Sequence, residues 1–235
     1  MPYLHWISDK NLETAVNHLL GKAKEARIRA TTKFGKNVID PFAALFEISG
    51  FELDYDLWAK NETNRQAQKT LQNHIGEFHQ IILGSCDGWE NMKTGNVIDL
   101  ISKEQKIIAE VKNKYNTISG GKLSDLYYSL ENLVMPKSSI YKNYTSYYVT
   151  IISKSPKRFN LPFIPSDKSK SEKCYPNKKI RHIDGASFYD LVTGYPNALE
   201  SLFEAIPDVI IECTNGNYKV KEIDKLKKFF HLAFG

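Results

Sequence analysis

The chain has 235 residues but only three cysteines, Cys86, Cys174 and Cys213, and no two of them form a Cys-x-x-Cys pair. So sparse and odd a set excludes a disulfide framework and a structural zinc site, and predicts reduced thiols in the cytoplasm. No stretch approaches the roughly 18 uninterrupted apolar residues of a membrane span. The N-terminal run Met1 to Trp6 lacks a basic segment followed by an apolar one, so secretion is not expected. No internal repeat and no low-complexity tract interrupts the chain. What is present is an ordinary globular composition, 42% hydrophobic and 25% charged, long enough to bury one sizeable core.

The net charge of +5 is unevenly placed. Nine basic residues fall between Lys154 and Arg181, against only Asp167 and Glu172, so this segment carries +7. The other 23 basic and 25 acidic residues give −2. A basic character gathered into one segment suits a surface that meets a polyanion, although a solvated basic loop has the same composition.

Apolar spacing predicts a helical first third. Asp9 or Asn11 can cap a helix through Leu20, and a second helix would carry 22–33. Asp40-Pro41 suits a helix entry, with Phe42, Leu45, Phe46 and Ile48 as a buried stripe ended by Gly50. A third helix is expected over 61–83. After Gly84 the pattern changes to strands at 96–102 and 106–115, joined by the polar Lys103-Glu104-Gln105. A helix over 123–134, a strand at 145–153, an aperiodic loop over 154–179, a short strand at 180–183 and helices near 186–193, 197–205 and 221–234 complete the pass.

With an even-numbered turn, paired residues of the hairpin sum to 209, and Asp99 stands opposite Glu110. Asp99, Glu110, Lys112 and Lys114 then share one face with Val97 and Ile108. Ile98, Leu100, Ile107, Ala109 and Val111 fill the other. Opposed carboxylates at ~4.5–5.5 Å between Cβ atoms destabilise a sheet unless a proton, a cation or nearby lysines offset them. Mg²⁺ takes oxygen ligands, and Asp99, Glu110 and the Val111 carbonyl form a suitable set, with Lys112 near any bound phosphate. A salt-bridged surface hairpin has the same pattern.

Ile98-Asp99 followed by Glu110-Val111-Lys112, between a long helix and a crossover helix that leads to another strand, resembles the PD-(D/E)xK nuclease superfamily. Residues 34–46 (FGKNVIDPFAALF), 82–85 with 87–89, 95–99, 110–114 and 183–185 are similar to a family of small type II restriction endonucleases that cut GGNCC. The resemblance implies an α/β fold: a central mixed β-sheet with a hairpin-borne active site flanked by helices, behind a helical N-terminal region. It implies a single domain over 1–235, mainly helical to 83, a catalytic core over 84–153, a basic loop over 154–182 and C-terminal helices over 183–235. It further implies Mg²⁺-dependent cleavage of double-stranded DNA by a homodimer, since a palindrome has two-fold symmetry. Glu77 would be an additional carboxylate from the preceding helix.

Phosphate and base contacts are expected from Lys114, Asn116, Lys122, Lys178, Lys179, Arg181, His182 and Asp184, with Tyr115 and Thr117 in reach. Gly120-Gly121-Lys122 is followed by Leu123 and is no Walker A loop, so no nucleotide cofactor is expected. His74 and His79 read as polar helix residues or DNA neighbours. Phe229, Phe230 and Phe234 suit core packing or a dimer contact. A structure-specific or repair nuclease, or a non-catalytic DNA-binding protein, remain alternatives.

Overall fold

The computed structural model of the protein describes residues 1–92 and 97–235; Gly95 and Asn96, part of the expected strand and of one quoted motif, lie outside them. Residues 17–78 form one compact unit, and residues 1–16 with 79–235 form another. No helix among the described residues is long and apolar enough to cross a membrane.

Three helices lead the chain: α1 (Asp9–Thr32), α2 (Pro41–Gly50) and α3 (Tyr55–Leu83). The two helices expected before residue 33 are one, because an interior glycine such as Gly21 costs only about 1 kcal/mol and does not by itself stop a helix. Its cap is Ser8, whose Oγ accepts the Asn11 amide at 3.3 Å, while Asp9 instead accepts the Tyr3 amide at 2.9 Å. The α2 entry is as expected, with Asp40 accepting the amides of Phe42 and Ala43 at 2.9 and 3.2 Å and Pro41 in the first turn. Its stripe is not. Phe42, Leu45 and Phe46 are 71%, 64% and 77% exposed, since α2 packs inward through Ala44, Glu47 and Ile48 instead. The third helix starts six residues early because Asp54 accepts the Leu57 amide at 2.7 Å.

The sheet follows: β1 (Glu90–Asn91), β2 (Leu100–Ser102), β3 (Ile107–Lys114), the crossover helix α4 (Leu123–Val134), β4 (Thr145–Ile152), β5 (Asn160–Pro162), the hairpin β6 (Ser166–Asp167) and β7 (Glu172–Lys173), then β8 (Ile180–Asp184). Helices α5 (Gly185–Thr193), α6 (Ala198–Cys213) and α7 (Ile223–Phe234) end the chain. Six strands form a mixed sheet in the order β1-β2-β3-β4-β8-β5, with β3, β4 and β8 parallel. Both faces are covered. Ile101, Ile108, Tyr148 and Ile180 meet Tyr127, Leu130 and Val134 of α4 on one side. Tyr147 meets Phe188 of α5 on the other.

Two glycines mark close approaches. A Cβ on Gly84 would stand 2.7 Å from the Asn91 Cβ, and one on Gly185 would stand 2.5 Å from the Ile151 carbonyl oxygen. Each lets a helix end or start directly against a strand. Helix α6 runs through Pro207, beyond the expected stop at 205. Buried Ala198, Leu199, Leu202 and Val209 continue its apolar face and outweigh the roughly 3 kcal/mol that an interior proline costs.

The expected aperiodic loop over 154–179 contains the strands β5, β6 and β7. Strands of two or three residues show no alternation, so tertiary pins hold them. Tyr127 Oη donates to the Tyr175 carbonyl at 2.7 Å, Tyr128 Oη donates to Asp167 at 3.0 Å, and Lys170 Nζ lies 4.6 Å from the Tyr128 ring centre.

Candidate active site

The hairpin register is the one expected. Leu100 pairs with Ala109, Ile101 with Ile108 and Ser102 with Ile107, across the four-residue turn 103–106, and the ladder ends one residue short of Asp99. Asp99 lies at a bend one residue before β2, yet its backbone is held on both sides. Its amide donates to the Ala109 carbonyl at 2.8 Å, and its carbonyl accepts the Met92 amide at 2.8 Å. The bend turns Ile98 into the cluster of Ile101 and Ile108 rather than onto the Leu100 face where alternation put it. Likewise Ile108 is wholly buried beneath α4, so the face that bears the acids is apolar below and polar only at its end.

Asp99 Oδ2 accepts the Val111 amide at 2.7 Å. In an extended strand the amide and carbonyl of one residue point to the same edge, so the Val111 carbonyl also faces Asp99. Glu110 projects from the same face, 13% exposed, and is ion-paired with Lys112. Burial, then the Asp99 charge, push the Glu110 carboxyl up to about 7, against the opposing pull of Lys112. Burial alone would lower the Lys112 ammonium, but the Glu110 hydrogen bond and the charges of Glu110 and Asp99 outweigh it and raise the pKa. A carboxylate pair with an amine two residues on is thus concentrated on one partly buried spot.

Sequence reasoning missed Tyr148 and named His182 as a DNA contact, whereas the parallel strands make both of them neighbours of the acids. Tyr148 is the β4 partner of Glu110, and His182 is the β8 partner of Tyr148. The His182 ring stacks on Tyr148 at 4.6 Å and 19°, and its Nε2 shares a 2.8 Å hydrogen bond with Thr150 Oγ1. Burial holds this histidine down at about 4, in its neutral form. A count along β4 identifies Tyr148 only once the parallel register is known.

The expected DNA contacts separate by position. Lys114 at the end of β3, Asn116 in the turn after it and Lys122 just before α4 are exposed. They lie at the C-terminal end of the parallel strands, the end that carries Lys112. Lys154 follows the end of β4 there, and β6 packs against the 120–122 turn. Lys178 and Lys179 precede β8, whose Ile180 pairs with Ser146 near the start of β4, so they stand at the opposite end of the sheet. Lys112 pairs with Thr150, four residues further along β4, and strand rise puts the two ends about 13 Å or more apart. Lys179 Nζ donates to the Lys142 carbonyl at 2.7 Å, and Arg181 donates to the Asn160 side chain and carbonyl, both at 2.6 Å. Asp184 is buried: it caps α5 by accepting the Ser187 amide at 2.8 Å and also accepts the Phe159 amide at 2.6 Å.

Glu77 belongs to the 17–78 unit, where His74 Nδ1 stands 3.0 Å and His18 Nε2 3.4 Å from its oxygens. The His74 hydrogen bond, above all, holds its carboxyl low. His79 lies 2.8 Å from Tyr189 Oη, and burial holds its ring at about 4, so it is a packed residue rather than a polar surface one. Phe230 packs on Phe203 and Phe234, while Phe229 faces solvent.

A sequence profile described as the Eco47II restriction endonuclease matches residues 4–215. The chain is 47% identical over 240 aligned positions to the type II restriction enzyme Eco47II of Escherichia coli, spanning all of both proteins. It is 30% identical to the type II restriction enzyme Sau96I of Staphylococcus aureus, over 87% of this chain and 78% of the relative. By profile and by full-length similarity, a chain with this acid–acid–lysine hairpin belongs to the Eco47II restriction endonuclease family.

Proposed function

We propose that this restriction endonuclease uses Mg²⁺ to hydrolyse both strands of duplex DNA at a short palindrome, GGNCC, acting as a cytoplasmic homodimer with one site per strand. The observation that carries the reading is the convergence of Asp99 and Glu110 beside Lys112 at one end of the sheet. The residues fit the ion. Two carboxylates and the Val111 carbonyl are hard oxygen donors, and burial, with the Asp99 charge beside it, disfavours the ionised Glu110 carboxylate, a penalty that a divalent cation offsets. When bound there, Mg²⁺ supplies an acidified water and neutralises charge on the phosphate.

The chain's own groups do the rest. The Val111 amide orients the Asp99 carboxylate. Lys112 Nζ, held by Glu110, is aimed to donate to a non-bridging phosphate oxygen as negative charge grows on it. Buried Tyr148, stacked on neutral His182, lines the sheet face beside Glu110. Lys114, Asn116 and Lys122, at the same end, are suited to hold backbone phosphates of the bound strand. Glu77, engaged by two histidines, has the weaker claim on the reaction.

Incubating a sequenced plasmid with the protein and Mg²⁺ tests the reading: discrete fragments ending at GGNCC are expected. Lys112→Ala should abolish cutting and still shift a duplex in a gel. A smear, or a Lys112→Ala protein that cuts at the normal rate, would sink it.

A further inference from the structure

We infer that the exposed apolar face of α2 is a self-association surface, on which a second copy of this chain docks antiparallel about a two-fold axis; this deepens the homodimer reading above by giving it a location. Phe42, Leu45, Phe46 and Ser49 recur at helical spacing and all point to solvent. Their outward direction is fixed from behind. Glu47 accepts Trp58 Nε1 at 2.9 Å, and Trp58 is itself buried between the rings of Phe34 and Tyr55.

Area and charge identify the occupant. Phe42 and Phe46 alone expose on the order of 300 Å². The exposed Leu45 between them extends this towards the roughly 500 Å² of apolar surface that one side of a standard homodimer interface contains. The flanks of the helix differ in sign. Lys33 and Lys36 precede it, and Glu52, Asp54 and Asp56 follow it, all exposed. None of the ion pairs among the described residues uses any of these five. Residues 40–56 hold five acids and no Lys or Arg, which repels a nucleic acid. An antiparallel copy of the same helix sets the basic flank of each protomer beside the acidic flank of the other and opposes the two helix dipoles. Isologous pairing of this kind closes at two subunits.

Sedimentation of the full chain, without DNA or metal, tests this independently of the nuclease reading. A concentration-dependent dimer is expected for the unaltered protein. Phe46→Glu should weaken it at least 100-fold with an unchanged circular dichroism spectrum. Should that variant lose its fold, the surface charge variants decide. Lys33→Glu with Lys36→Glu should weaken the dimer about 10-fold, and adding Glu52→Lys with Asp56→Lys to the same chain should restore it. A monomer at every concentration, or a dimer indifferent to both the phenylalanine and the charge reversals, would overturn the assignment.

Discussion

Replacing Glu110 by glutamine should stabilise the metal-free protein at pH 8 and change it little at pH 5. The carboxyl titrates at about 7 in the fold against 4.5 in an unstructured chain, because burial and the Asp99 charge disfavour its ionised form. The native state therefore binds the extra proton between those values, and stability falls as pH rises through that window. One pKa unit corresponds to about 1.4 kcal/mol, so the full penalty above pH 7 is on the order of 3 kcal/mol, and under about 1 kcal/mol at pH 5. At 13% exposure, little of this is lost to solvent screening. Glutamine resembles the protonated acid and avoids the penalty. Urea unfolding in a chelator, at both pH values, measures it. His79 and His182, held neutral down to about 4, give both proteins a slope of the opposite sign that cancels in the difference. Adding Mg²⁺ should stabilise the unaltered protein and so narrow or reverse the gap. A variant less stable at pH 8, or a difference independent of pH, would refute the reasoning.

Two further outcomes follow from the geometry. Asp184→Ala removes the α5 cap and orphans the Ser187 and Phe159 amides, so it should cost about 1–3 kcal/mol in a thermal melt while leaving the cleavage pattern unchanged. Lys122→Ala should reduce the salt dependence of duplex binding by about one counterion, whereas Lys178→Ala, at the other end of the sheet, should not change it.

The hairpin register was readable from sequence because strand alternation, a four-residue turn and the aliphatic row of residues 107–111 admit one pairing of Leu100–Ser102 with Ile107–Ala109; the bend that turns Asp99 and Ile98 out of that alternation was not. The Asp40-Pro41 helix entry was readable for the same local reason. Three further things were not. The Tyr148 and His182 neighbours depend on parallel pairings between strands more than 30 residues apart, which no local pattern encodes. The basic segment read as one loop because two-residue strands have no period, yet it delivers its lysines to different ends of the sheet. The apolar residues of α2 showed a stripe but not its direction, which the Trp58 contact decides.

The hairpin pinned to α4 by Tyr127 and Tyr128 has a thermodynamic corollary. Lys168, Lys170 and Lys173 ride on backbone that is already ordered, so a polyanion arriving there freezes few chain torsions. Calorimetry of duplex association should accordingly report a small heat-capacity change, the mark of rigid partners rather than of a strap that folds on contact.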